Sequence, residues 1–286
     1  MLLKKEPYVN VLRDLDERRG YVGSRYMGNF GIRVGEARYR YDYDPSINPS
    51  VTNAFAAAAF RFGHTLIQGL VQLFGGGVQT ERRELRDFFN NPGLLYGQNG
   101  LDRFINALVT QSVQGFDNLI TKEVTEHLFE DRRHGFGMDL VSLNLQRSRD
   151  HGVRGYNEYR ELCGLGRART FNDFATHINP QVIGAMQKVY ENVDDVDLFI
   201  GGISERPVDG ALLGPTFLCI VGDMFLRLQK GDRFFYDLGN QPHSFTPGPD
   251  LLSERGGGIR KVGCGSPAIP RPQFGPWKEG SGVTFG

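Results

Sequence analysis

An apolar, alanine-rich run in the first third of the chain limits the possible folds more than any other feature. Residues 52–74, TNAFAAAAFRFGHTLIQGLVQLF, contain no acidic side chain and are followed by Gly75-Gly76-Gly77. Because alanine is the best helix former and glycines commonly end helices, the run predicts one buried helix of about twenty residues. Side chains at three- and four-residue spacing share one face of such a helix, and here they are Phe60, Arg61, His64, Ile67 and Gln68.

Helical periodicity recurs along most of the remaining chain, and no segment alternates apolar and polar residues convincingly as a half-buried strand would. There is no internal repeat. The predicted fold class is therefore mainly α. Further helices are predicted over residues 81–90, 100–114, 118–131, 138–150, 157–165, 171–177, 180–193 and 212–228.

Composition divides the chain into three predicted segments. Residues 1–49 are polar and aromatic and are expected to be irregular, whereas 50–246 contain the helical domain. Residues 247–286 are rich in glycine and proline and have few large aliphatic side chains. Such a composition buries too little apolar surface to offset the entropy of ordering, so a disordered tail is predicted there, with Cys264 as a free thiol.

Charge and composition exclude several classes of protein. The formal net charge is zero, which gives no support to a general role in binding nucleic acid or membrane surfaces. No apolar run is long enough for a membrane span, and the charged N-terminus, MLLKKEPYVNVLRDLDERRG, does not predict a signal peptide. Three cysteines without a CxxC pair do not form a disulfide scaffold or a zinc ribbon.

His64 and Arg61 are the first candidates for chemistry. A histidine on an apolar helix face is often only a core residue bonded to a carbonyl, and this alternative stays open. The other interpretation is an axial haem ligand, because a neutral buried imidazole binds iron when its second nitrogen is held by an acceptor. Arg61, one turn away, favours the second interpretation, since haem propionates are anions that an arginine binds well.

The second candidate is SLNLQRSRDHG, residues 142–152, in which Asn144 and Arg147 share a helix face. Exposed Arg–Asp pairs at a helix end would contribute little. The apolar segments on both sides instead favour a buried polar network that positions another group.

Two further patterns carry less weight. Ser142 or Ser148 with Asp150 and His151 could suggest a catalytic triad, but neighbours on one helix do not face each other and no nucleophile-elbow glycines are present. His127 and His134 are seven residues apart without an HExxH motif, so a metal hydrolase is not favoured.

FRFGHTLI and SLNLQRSRDHGVRGYNEYRELCGL together resemble the animal haem peroxidases, the group of myeloperoxidase, thyroid peroxidase, peroxidasin and chorion peroxidases. The similarity continues through DVDLFIGGISE, LLGPTFLCIVGDMF and KGDRFFYDLG, and it covers roughly residues 50–246. It implies a helical fold with haem as cofactor and hydrogen peroxide plus a halide or small organic donor as substrates.

The resemblance also implies roles for individual residues. His64 matches the proximal haem ligand, and Asn144 matches the asparagine that accepts the imidazole N–H. Arg61 and Arg147 match residues that meet the haem propionates, and Cys163 and Cys219 match a family disulfide. A disulfide implies an oxidising compartment, so the resemblance predicts a secreted protein that acts in the response to oxidative stress.

The family's distal half has no match in residues 1–49. Its glutamine, histidine, aspartate, calcium loop, arginine and glutamate are all unmatched, so no catalytic residue and no calcium site are assigned. The sequence is therefore interpreted as a fragment, an incomplete gene model or a truncated isoform that binds haem weakly and turns over poorly. Two alternatives remain: a non-catalytic extracellular interaction module, and a truncated product without a stable fold. The oligomeric state is left open.

Overall fold

The computed structural model describes residues 39–131, 133–242 and 244. They belong to two compact units. The larger unit comprises Asn53–Pro207 and Leu213–Leu218, and the smaller one contains Val208–Leu212 with the described residues before Asn53 and from Cys219 onward. The predicted disordered tail, Cys264 and most of the predicted irregular N-terminal segment lie outside the described residues.

The predicted mainly α class is confirmed, because helices dominate the described chain. The α-helices are α1 (Asn53–Ala57), α2 (Gly93–Tyr96), α3 (Gly100–Thr110), α4 (Lys122–Thr125), α5 (Leu140–Asp150), α6 (Tyr156–Leu162), α7 (Pro180–Met186), α8 (Leu198–Ser204) and α9 (Pro215–Gly231). Short 3₁₀ helices are Ala59–Leu66, Leu85–Phe88, Phe171–Thr176 and Val193–Asp195. The strands are β1 (Leu70–Gly75), β2 (Val78–Glu84), β3 (Leu128–Asp131) and β4 (Phe136–Met138).

The single long helix predicted over residues 52–74 is wrong. The chain forms α1, leaves helical geometry at Ala58 (φ −131°, ψ −72°), continues as the 3₁₀ helix Ala59–Leu66 and then enters strand β1. The glycines that were expected to end a helix instead form a hairpin turn. Gly76 and Gly77 have φ values of +59° and +81°, which glycine adopts without steric cost, and they connect β1 to β2.

Both two-stranded sheets were missed, and each replaces part of a predicted helix. Strands β1 and β2 pair antiparallel, and so do β3 and β4. Residues 81–90 therefore form the end of β2 and a 3₁₀ turn, while residues 118–131 form α4 and β3. In β1 the two buried residues, Val71 and Leu73, pack with Ala107 of α3. Their spacing of two residues is the period of a strand.

The core of the larger unit is aromatic and closely packed. Tyr156, Phe174, Phe199 and Phe217 are fully buried. Helix α8 packs against this core at Gly202. A Cβ atom there would lie 2.0 Å from Cε1 of Phe217, so only glycine fits at this position. The backbone of α8 therefore contacts an aromatic ring directly.

Gly202→Ala is expected to destabilise the protein by about 3 kcal/mol, because an added methyl in a filled core forces the ring or the helix to move. The matched control is Gly184→Ala on α7, where an added Cβ meets nothing within 4 Å. This control is expected to be neutral or to stabilise by about 0.5–1 kcal/mol, since alanine is the better helix former. Urea denaturation of both variants checks the difference, and equal midpoints would contradict it.

A buried polar network also lies within the larger unit. The Glu205 carboxylate accepts hydrogen bonds from the Tyr156 hydroxyl (2.7 Å) and from the backbone N–H (2.8 Å) and hydroxyl (2.6 Å) of Thr216. Arg160 donates to the Tyr156 hydroxyl at 3.3 Å, and its guanidinium lies over the rings of Tyr156 and Phe174. Burial raises the pKa of Glu205 and also that of Tyr156. The network therefore joins α6 to the first turn of α9.

In the smaller unit, the N-terminal described residues pair with the chain that follows α9. Arg40 forms a parallel bridge with Leu238, and its side chain is buried. The Arg40 guanidinium donates to the Asp42 carboxylate (2.7 Å) and to the carbonyl of Gln229 (3.2 Å). A single buried arginine thus holds together segments that are distant in sequence.

Candidate functional site

His64 lies half-buried on the 3₁₀ helix Ala59–Leu66. This helix has three residues per turn, so Arg61 and His64, three apart, share one face although the longer α-helix predicted for them does not form. Ile67 and Gln68 lie beyond the helix end. Arg61 and His64 therefore share a helix face as predicted, whereas Ile67 and Gln68 do not belong to it.

Asn144 meets His64 across the larger unit. It lies on α5, is 1% exposed, and its Nδ2 atom is 2.8 Å from Nδ1 of His64. Its Oδ1 atom accepts a hydrogen bond of 3.4 Å from Nη1 of Arg61. Two residues eighty positions apart in the sequence are therefore hydrogen-bonding partners.

The orientation of the Asn144 amide differs from the one that the resemblance implied. Its nitrogen, which can only donate, faces His64, so Nδ1 of His64 accepts and the imidazole proton is on Nε2. A half-turn of the amide exchanges two nearly isosteric atoms and places the carbonyl against the imidazole. The arrangement in which Asn144 accepts the imidazole N–H therefore needs one amide rotation, which also removes the hydrogen bond from Arg61 to Oδ1.

Arg61 lies near the histidine and has no carboxylate partner among the described residues. Arg61 is held in place because its Nε donates to the carbonyl of Ala56 at 3.0 Å. Burial lowers the pKa of Arg61, and the positive charge of Arg147, which is exposed on α5, lowers it further. Within residues 39–131 and 133–242, neither has an acidic partner. Cations of this kind are suited to binding anions.

The surroundings of His64 favour the neutral form of its imidazole. Burial lowers its pKa, and the charge of Arg61 acts in the same direction. Neutral imidazole is the form that binds metals. At the neighbouring residue, a Cβ atom on Gly63 would meet nothing within 4 Å, so there is open space at that position of the 3₁₀ helix. A nitrogen ligand, two cations and open space fit a metal tetrapyrrole with anionic side chains.

The other histidines considered in the sequence do not converge on a metal. His127 bonds to Glu130 and His134 bonds to Asp131, each three residues away. Among the described residues, no group of three or more potential ligands is placed to hold a metal ion. Ser142 and Ser148 also form no triad, because their hydroxyls donate to Asp139 and to the carbonyl of Ala57.

The predicted buried network in residues 142–152 forms in part. Asn144 and Ser148 are buried, whereas Arg147, Asp150 and His151 are exposed. Arg149 donates two hydrogen bonds, of 2.9 and 2.7 Å, to the buried carboxylate of Asp197, which also accepts from Tyr190. The sequence analysis missed Asp197 and Glu205 as partners, although both lie in the segment DVDLFIGGISE that contributed to the resemblance.

The described residues form a mainly helical protein in which a histidine, the amide of Asn144 and the guanidinium of Arg61 are joined by hydrogen bonds. A family model described as "Animal haem peroxidase" matches residues 19–249, so the chain belongs to the animal haem peroxidase family. The match begins N-terminal to residue 50, where the resemblance had been placed. Cys163 and Cys219 are both disulfide-bonded, in agreement with the disulfide that the resemblance implied.

Relatives support the same assignment. The chain is 40% identical over 217 residues to a peroxidase of Drosophila melanogaster, covering 76% of this chain and 31% of that protein. It is 39% identical over 245 residues to thyroid peroxidase of Rattus norvegicus, covering 83% and 26%. The chain thus spans less than a third of the length of these relatives.

Solved structures agree on the fold. Peroxidase A from Dictyostelium discoideum aligns with a TM-score of 0.64 and 31% identity, covering 73% of this chain and 39% of that one. A fatty acid α-dioxygenase from Oryza sativa aligns with a TM-score of 0.56 at 19% identity, covering 76% and 38%, which shows shared architecture alone. No described helix is both long and apolar enough to cross a membrane.

Proposed function

We propose that this chain carries the proximal, haem-binding side of a peroxidase that uses hydrogen peroxide to oxidise a halide or an organic donor. The observation that carries the proposal is the contact between His64 and Asn144, with Arg61 bonded to the same amide and the charge of Arg147 acting on Arg61. A metal-binding histidine commonly has a hydrogen-bonding partner on its other nitrogen, which orients the ring. A core histidine would need no unneutralised arginine beside it.

Each side chain has a distinct task in this proposal. The imidazole of His64 holds the iron, and Asn144 orients the imidazole through its amide. As a neutral partner, Asn144 makes the imidazole a weaker electron donor than a carboxylate partner would. Arg61 and Arg147 bind the two propionates. When bound, haem supplies the redox chemistry by which hydrogen peroxide is reduced and the donor is oxidised.

The distal acid–base groups are not matched in this chain, so turnover by the chain alone is expected to be slow. Each positioned proton-transfer group contributes roughly a hundredfold or more. The names of the relatives, among them thyroid peroxidase and chorion peroxidase, and the disulfide-bonded cysteines support an extracellular or secretory setting.

Titrating the purified chain with haemin tests the proposal. A Soret band that saturates at one haemin per chain is expected, together with guaiacol oxidation by hydrogen peroxide at least about a hundredfold slower than that of a complete peroxidase. A folded chain, as judged by a cooperative thermal transition in circular dichroism, that gives no Soret band would instead support a non-catalytic interaction module. Rapid guaiacol turnover would instead show that this chain supplies distal groups that the sequence match did not reveal.

A further inference from the structure

Helix α5 is joined to the chain that carries His64 at three levels. Asn144 contacts His64, the Ser148 hydroxyl donates to the carbonyl of Ala57 at 3.0 Å, and the carbonyl of His151 accepts from the side chain of Asn53 at 3.2 Å. Later residues of the α5 segment contact earlier residues of the segment that carries His64, so the two segments lie antiparallel. Because the residues on α5 are four and three apart, they lie on one face of that helix.

The middle contact lies where the backbone changes its geometry. In an uninterrupted α-helix the carbonyl of Ala57 would accept from the N–H of Arg61. Here the N–H of Arg61 donates to the carbonyl of Ala58 at 3.0 Å, which is the shorter 3₁₀ pattern. The Ala57 carbonyl is therefore released from the helix, and the Ser148 hydroxyl satisfies it. Ala57 and Ser148 are 3% and 2% exposed, so bulk water does not replace the serine readily.

We infer that Ser148 is a positioning residue for the cofactor ligand: it holds the helix break at Ala57 and Ala58 and thereby sets the direction in which His64 and Arg61 point. The inference rests on the proposed function for its consequence, haem binding, but its physical basis is independent of haem. A 3₁₀ helix has 3.0 residues per turn and an α-helix has 3.6. If the break closed, Arg61 and His64 would rotate about the helix axis and away from Asn144.

Asn144 and Ser148 also act as a matched pair on α5. One turn of the helix separates them, so the distance between the bonds to His64 and to Ala57 is set by a rigid element. The eight residues from Ala57 to His64 must then adopt the helical winding that fits that distance. The 3₁₀ geometry of Ala59–Leu66 is the observed result. This assigns a specific task to the serine within RSRDHG.

The test compares Ser148→Ala with Ser142→Ala in the full chain. Ser142 lies on the same helix, but its hydroxyl is exposed and bonds to Asp139 near the helix start, so it serves as the matched control. The first readout is the ¹⁵N chemical shift of the His64 ring nitrogens in the haem-free protein, which reports hydrogen bonding at Nδ1. The second readout is haemin titration followed by electron paramagnetic resonance of the ferric complex.

Ser148→Ala is expected to shift the His64 Nδ1 resonance away from its wild-type position and to weaken haemin binding by about tenfold or more, as loss of outer-shell support does in other metal sites. Ser142→Ala is expected to match the wild type in both readouts. The same nitrogen shifts in Ser148→Ala as in wild type would overturn the inference. If wild type gave no Soret band, the proposed function would fail while the nitrogen shifts still decided the role of Ser148.

A second variant covers the case in which Ser148→Ala does not fold. Ser148→Cys keeps nearly the same volume but replaces a strong O–H donor with a weak S–H donor. It is expected to show the same displaced His64 resonance while retaining a cooperative melting transition. Wild-type nitrogen shifts in this variant would equally overturn the positioning role.

Discussion

Replacing His64 with alanine is expected to remove the Soret band that haemin titration gives with the wild-type chain. Loss of the residue that hydrogen-bonds to a metal-binding histidine usually lowers metal affinity by about 10–100-fold, so loss of the ligand itself should lower affinity by more than about 100-fold. The fold should survive, because His64 is only half-buried and the core residues lie elsewhere. Absorbance at increasing haemin, with circular dichroism on the same samples, measures both effects.

Three controls sharpen this experiment. His134→Ala removes an exposed histidine whose imidazole bonds to Asp131, and it should leave the titration unchanged. Asn144→Ala should weaken haemin binding by about 10–100-fold without removing the band. Adding free imidazole to His64→Ala should restore part of the band, because the ligand then occupies the vacated volume. An unaltered Soret band in His64→Ala would exclude His64 as the ligand.

Replacing Glu205 with alanine is expected to destabilise the protein by about 3–5 kcal/mol. The change leaves three buried donors without an acceptor, namely the hydroxyl of Tyr156 and the N–H and hydroxyl of Thr216. Each unsatisfied group costs about 1–3 kcal/mol. Arg160, whose guanidinium bonds to the same tyrosine, also loses nearby negative charge. Urea denaturation checks the value, and a loss below about 1 kcal/mol would show that water or another side chain replaces the carboxylate.

The same residue predicts a dependence of stability on pH. Burial raises the pKa of Glu205 above its ordinary value of 4.5, so the folded state favours the protonated carboxyl. Its contribution is therefore complete below the unfolded pKa and is lost as the pH rises through the folded pKa. Glu205→Gln removes this titration. The melting temperature of wild type should fall relative to Glu205→Gln as the pH is raised from about 4, and parallel curves would contradict the shift.

Local sequence was sufficient for the helices whose apolar residues recur with helical period over a long stretch. Helices α3 and α5 lie within their predicted ranges, and α9 overlaps its range closely. Local sequence was not sufficient where a short apolar run fits both the helical period and the strand period. Val71 and Leu73 fit a buried helix as well as a strand, and the decision for a strand came from pairing with β2 and packing on α3.

The glycines show the same limit. Gly76 and Gly77 mark an end of regular structure in the sequence, but a helix end and a hairpin turn both use glycine at positive φ. Gly137 approaches so closely that a Cβ atom there would lie 2.3 Å from the carbonyl of Glu126. That contact joins β4 to the residue that follows α4, and the local sequence pattern does not indicate it. The sequence located these ends of regular structure. Tertiary contacts decided whether each one is a helix end or a hairpin turn.

By itself, the sequence determined the family, the mainly α class and the residues of the candidate site, because these depend on residue types at short spacings along the chain. Only the tertiary structure decided that Asn144 contacts His64, that Ser148 satisfies the carbonyl released at Ala57, and that Arg61 and His64 lie on a 3₁₀ helix. The physical reason is that alanine-rich sequence favours an unbroken α-helix locally. The helix that breaks at Ala58 is stabilised by two hydrogen bonds from α5. These bonds come from residues eighty and ninety-one positions away along the chain.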